Sequence, residues 1–234
     1  TYISGAAVVD AATKVAERIR ARAAMMLNDQ EGKPAVKAAE IELGERLAKA
    51  PDGRNVTMEE IALHSLHHKK QEQSMGTGSF DTPVSPPPFA AQFAEVTVDI
   101  ETGQVTVDRL LFAVDAGMIV NPITASGQVE GGMAQALGYA VSEEMLVNQK
   151  GEPRERDFRD YHIFEAHEMP EMQTLFVETF EPSHPFGVKA VAEIPMDGVA
   201  PAVGNAVYNA CGADINHNPV TPEKVWWALK KSAR

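Results

Sequence analysis

The chain has 234 residues, 44% hydrophobic and 23% charged, enough to bury a core as one large domain or two small ones. Its net charge of −12 is dispersed along the sequence, and without a basic stripe a nucleic-acid partner is not expected. Cys211 is the one cysteine, which excludes an intrachain disulfide and any zinc finger or iron–sulfur cluster held by this chain alone. No apolar run approaches the ~20 residues of a membrane span, and a cytoplasmic location is the default expectation.

The start, Thr1-Tyr2-Ile3-Ser4-Gly5, has neither an initiator Met nor the form of a signal peptide, so the chain is expected to be part of something longer. Residues 6–27 read as a helix. Ala6, Val9, Ala12, Ala16, Ile19 and Ala23 recur at helical spacing, with Lys14, Glu17, Arg18 and Arg22 on the other side. A second helix is expected over 34–49, opened by Pro34. Thr57 and Glu60 form a capping-box pattern for a third, which runs to about His68.

Gln71 to Pro88 is rich in Gly, Ser, Thr and Pro and is expected to be a long ordered loop. Alternating residues over 94–100 and 104–110 predict two strands joined by a short hairpin loop at Glu101-Thr102-Gly103, the second continuing inward from Leu110 to Val114. Residues 123–141 read as a Gly- and Ala-rich helix and 173–180 as a strand. A small-residue helix follows from Pro195 to Cys211, closed by Gly212, and a last one opens at Thr221-Pro222. The mixture predicts an α+β fold.

Common nucleotide-binding loops, the hydrolase elbow and the HExxH zinc motif are absent. His64, His67 and His68 stand at i, i+3 and i+4, spacing that could hold a metal on one helix face. The plainer alternative is a solvated helix end beside Lys69 and Lys70, since no acidic residue is spaced to join them.

Two segments carry more. In the first, Asp115-Ala116-Gly117 leads through Asn121-Pro122 into Gly127-Gln128-Val129-Glu130-Gly131-Gly132. Glycines there either let a polar cofactor approach the backbone and the Gln128 amide, or let helices pack through small residues. The second is the loop Pro185-Phe186-Gly187-Val188-Lys189-Ala190-Val191-Ala192-Glu193. Apolar neighbours would raise the Glu193 pKa toward the range of a general base, and a following helix N-terminus would lower it. A common first-turn helix acid is the alternative.

Both segments resemble the molybdenum hydroxylases of the xanthine dehydrogenase and aldehyde oxidase type, which carry a G-Q-x-E-G stretch after an N-P turn and a later P-x-G-x-K-x-V-G-E loop. Pro201 to Tyr208 and Thr221 to Val225 are similar in order, so the likeness spans nearly the whole chain. It implies that residues 1–234 are the C-terminal part of the molybdopterin-binding region, with any internal boundary in the Pro/Gly-rich loop 71–90.

The resemblance further implies that Glu193 is the catalytic base, taking a proton from a hydroxyl on molybdenum. Gly127 and Gln128 would contact the pterin, Gln128 by a hydrogen bond. The backbone of Lys189, Ala190 and Val191 would lie close to the metal, and Thr1 would fall where the family's preceding loop contacts the pterin. The molybdenum would be held through its pterin and not by a protein ligand. Iron–sulfur clusters and FAD would sit on other domains or subunits, beside the N-terminal remainder of the molybdopterin-binding region, and the substrate would be an aldehyde or a purine-like N-heterocycle. Ala192 replaces the usual Gly, Met118 a frequent Arg, and His217-Asn218 a common Leu. A non-catalytic assembly subunit of the same fold is the competing reading.

Overall fold

Small apolar residues at helical spacing carry α1 (Tyr2–Asn28), which starts four residues earlier than the periodicity predicts. Its inner face buries Ala6, Ala23, Ala24 and Leu27. Arg22, expected among the solvent-facing charges, is buried instead, giving hydrogen bonds to the Lys70 carbonyl (3.0 Å) and to Glu72 (3.4 Å). The computed structural model describes residues 1–82 and 84–232, and the chain divides into two units, Thr1–Val84 and Ser85–Arg234.

The helix expected over 34–49 does not form. A short 3-10 turn, Ala38–Glu40, leads into β1 (Glu42–Gly44), β2 (Leu47–Lys49) and β3 (Asn55–Thr57), an antiparallel sheet in that order. The cause is tertiary. The Asn28 side chain pairs with both the N–H (2.7 Å) and the C=O (3.0 Å) of Val36, as a strand would, and holds the chain extended. Arg54 ties the Leu27 and Pro34 carbonyls together at 2.6 and 2.7 Å. Extended backbone then sends Ile41, Ala48 and Val56 into one core with Leu27 and Ile61. That burial outweighs the weak helix preference of an Ala-rich segment.

The third helix, α2 (Met58–His67), begins as its sequence indicates. The Thr57 hydroxyl accepts from the Glu60 N–H at 3.1 Å, and the Glu60 carboxylate accepts from the Thr57 N–H at 2.8 Å. At its far end the rings of His64 and His68 stack with centroids 4.4 Å apart. An acid does join them: Asp29, just past the end of α1. His67 is not part of the group. Burial first, then the charges of His68 and Arg22, push the His64 imidazole below its ordinary pKa. Beyond α2, the described residues of 71–88 form no helix or strand. Thr77 and Ser79 are held against α1: Lys14 donates to the Thr77 carbonyl, and Asp10 accepts from Ser79 N–H.

In the second unit, β4 (Phe89–Val98) and β5 (Val105–Asp115) form the expected hairpin, longer at its open end than the alternation indicates. β6 (Glu171–Phe176) pairs with β5 in parallel, from Arg109↔Glu171 to Val114↔Phe176. A parallel pair needs a crossover, and α3 (Pro122–Val141) lies within it. The helix expected from Pro195 is two: α4 (Ile194–Asp197) and α5 (Val199–Cys211), broken at Gly198, where a Cβ would collide with the Gln92 side chain. Gly212 closes α5 in the left-handed conformation, and α6 (Pro222–Ser232) follows Thr221. The mixed sheet with helices is the expected α+β fold.

Alternate residues of β5, Leu110, Phe112 and Val114, point into a core completed by Met133 and Leu137 of α3 and Val203 and Val207 of α5. Phe112 is fully buried at its centre. Phe112→Ala is expected to cost about 3–5 kcal/mol, read as a lower urea midpoint with an unchanged m-value.

Candidate active site

Strand β5 delivers Asp115 to a junction of three chain segments. Its Oδ1 accepts from the Thr179 hydroxyl (2.7 Å) and the Gly117 N–H (2.9 Å), and its Oδ2 pairs with Lys189 Nζ at 2.9 Å. Both partners are largely buried, with Lys189 10% and Asp115 18% exposed. Burial alone would raise the Asp115 pKa. The hydrogen bonds from Lys189, Thr179 and Gly117, with the Lys189 charge, outweigh it and hold the carboxyl below its ordinary value. Lys189 Nζ also lies 5.5 Å from the centre of the Phe89 ring.

This junction fixes the loop that carries the second motif. Gly117 bridges to Val188, Met118 N–H donates to the Gly187 carbonyl, and Lys189 N–H donates to the Ala116 carbonyl. Two glycines make the approach possible. Gly117 has φ +69°, and a Cβ there would overlap the Gly187 carbonyl and stand 2.9 Å from the Lys189 nitrogen. Gly187 has φ +68°, and a Cβ there would enter the Phe180 ring.

Past Lys189 the pairing stops. Among the described residues, the N–H groups of Ala190, Val191, Ala192 and Glu193 meet no acceptor. Glu193 occupies the N-cap position of α4, but its side chain makes no capping bond. Its carboxylate is exposed in this chain. Val191 and Ile194 turn inward and pack on the core, so the apolar enclosure expected around Glu193 is not formed by its sequence neighbours. Gln92 of β4 donates its side-chain amide to the Pro195 carbonyl at 2.6 Å and so fixes the start of α4.

Helix α3 supplies the facing elements. Asn121 caps it, accepting from the N–H groups of Ile123 (3.1 Å) and Thr124 (3.2 Å). Val129, Met133, Ala136 and Leu137 are buried, and Gly132 lies against the Pro195 ring. Gln128 stands one turn before Gly132, on the same side of the helix. It is exposed, and a Cβ at Gly127 or Gly131 would meet nothing within 4 Å. The helix packs through Gly132 and leaves open space at Gly127 and Gly131. Thr1 belongs to the other unit, where it is the exposed N-cap residue of α1.

Comparison with known proteins gives the family of the chain. The sequence profile of the molybdopterin cofactor-binding domain matches residues 1–170. The chain belongs to the molybdopterin cofactor-binding domain family. It is 34% identical over 97% of its length to the xanthine dehydrogenase molybdenum-binding subunit of Escherichia coli O157:H7. It is 30% identical over 99% of its length to the carbon monoxide dehydrogenase large chain of Afipia carboxidovorans. The crystal structure of Cu,Mo-CO dehydrogenase superposes on 98% of the chain with a TM-score of 0.80 at 28% identity. The chain spans 28–30% of the length of these proteins.

For a molybdopterin-binding domain the donor set is apt. A pterin with its phosphate offers many acceptor atoms and negative charge. The main-chain N–H groups of residues 190–193, the Gln128 amide and the open flank at Gly127 and Gly131 match those needs. No helix among the described residues is long and apolar enough to cross a membrane. Two clefts of about 1030 and 770 Å³ lie elsewhere in the unit, lined by His217 and Trp227 and by Tyr139 and Tyr208, and neither includes Gln128 or Glu193. The candidate site is an open face of this chain. Sequence alone missed Asp115, Thr179 and Gln92 as the groups that position it. The Asp-x-Gly at the end of a strand was the one available signal.

Proposed function

We propose that this chain supplies the general base and part of the pterin cradle of a molybdenum-dependent hydroxylase, which oxidises an aldehyde or a purine-like N-heterocycle with water as the oxygen source. The observation that carries this reading is the row of N–H groups, unpaired among the described residues, that ends at an exposed Glu193, at the end of a loop fixed by a largely buried Asp115–Lys189 pair. Molybdenum, held through its pterin, would supply the activated oxygen and accept the electron pair.

The protein's part is orientation and proton transfer. Gly127 and Gln128 receive the pterin, Gln128 by hydrogen bonding. The backbone of Lys189, Ala190 and Val191 lines the metal's side of the site. Glu193 takes the proton of the oxygen that attacks the substrate carbon. Overall, substrate C–H and water give C–OH, protons and an electron pair, which leaves through iron–sulfur clusters and a flavin on partner domains or subunits. Thr1 adjoins the missing part of the cradle, and the N-terminal remainder of the region completes it. A cytoplasmic compartment suits this chemistry.

The test is elemental analysis of the assembled enzyme together with turnover of aldehyde and purine substrates. Molybdenum near one per chain, with turnover of either class, is expected. A properly assembled complex without molybdenum would overturn the reading in favour of an assembly subunit.

A further inference from the structure

The N-terminal unit brings together a group that the proposed chemistry leaves unused. Asp29 follows the last turn of α1, while His64 and His68 lie at the end of α2, and one potential ligand atom from each falls within 4.8 Å of the others. Asp29 precedes His64 by 35 positions (64 − 29 = 35), and the packing of α1 on α2 brings them together. His64 Nδ1 is buried and meets no hydrogen-bond partner. A buried imidazole nitrogen without a partner is uncommon, and a metal ion would satisfy it.

The geometry points to a divalent transition-metal site, of the class that takes Zn²⁺, with Asp29, His64 and His68 as protein ligands and water completing a tetrahedron. Two neutral imidazoles and one carboxylate suit a borderline cation rather than a hard one such as Ca²⁺. His64, in the last turn of α2, and His68, its C-cap residue, stand four positions apart with their rings side by side at the helix end, within reach of one ion. Arg22, whose charge would oppose a cation, is met by Glu72. His68 Nδ1 accepts from the Lys70 N–H at 3.2 Å, and ligation through Nε2 gives up that bond. His67, exposed and outside the group, is a built-in control.

The experiment is equilibrium dialysis of the full chain against Zn²⁺ after chelator treatment, with bound zinc counted by mass spectrometry. One zinc per chain is expected. Affinity should fall by at least about tenfold in His64→Gln and in Asp29→Asn, since even outer-shell partners are worth 10–100-fold, and it should be unchanged in His67→Gln. Asp29 is exposed at a helix end, so Asp29→Asn decides the matter if His64→Gln fails to fold. Absence of retained zinc, or retention equal in wild type and Asp29→Asn, overturns the site.

Discussion

Glu193→Gln is expected to remove about 10²–10⁴ of kcat, the usual share of a positioned general base, while molybdenum content and thermal stability stay at the wild-type level. The structure makes this a clean substitution. The carboxylate is exposed, makes no capping bond at α4 and has no ion-pair partner among the described residues. The amide keeps its size and loses only the ability to take a proton. A change at such a position normally shifts stability by less than about 0.5 kcal/mol. Steady-state kinetics beside metal analysis reads the result, and turnover within a fewfold of wild type would remove Glu193 from the role of base.

Lys189→Met should destabilise the fold about as much as Phe112→Ala. It strips the partner from a carboxylate that is mostly buried, and breaking such a pair costs about 3–5 kcal/mol. The pH dependence follows from the sign of the Asp115 shift. Its folded-state pKa is depressed, so its contribution is present above the unfolded value and is lost as pH falls through the folded value. Wild type therefore keeps this stability down to about pH 4, near the ordinary Asp pKa. Without Lys189, two of the influences that lower the Asp115 pKa are gone and the carboxyl titrates higher than in the wild type, so the penalty should shrink as pH falls through that raised value. Urea melts at pH 7 and pH 4 measure both effects. A penalty of the same size at both values would show that lost packing of the lysine stem, and not the exposed charge of Asp115, is responsible.

Features written in consecutive residues were legible in the sequence, and features made by distant partners were not. The Thr57–Glu60 box is four residues long and forms as expected. So do the β4–β5 hairpin and the Gly- and Ala-rich helix α3, each signalled by local pattern. Residues 34–49 misled because what holds them extended is Asn28 and Arg54, which no window over that segment contains. Glu193 and Gln128 are proposed through motif likeness alone, whereas Asp115 and Lys189, 74 positions apart, meet only in the fold. Asp29 escaped for the same reason: it belongs to another helix than the histidines it joins.

The parallel pairing of β5 with β6 also governs how this unit acquires its structure. Arg109 must find Glu171, and a loop of about sixty residues has to close before the first rung of that ladder exists. Such long-range pairing is slow compared with the local contacts of helices and hairpins. Until it forms, the run Leu110-Leu111-Phe112-Ala113-Val114 is an uncharged stretch of strand-forming residues with one edge unpaired. That is the composition from which intermolecular sheets grow, so the strand that later delivers Asp115 to the site is the part of the nascent chain most in need of protection from its own copies.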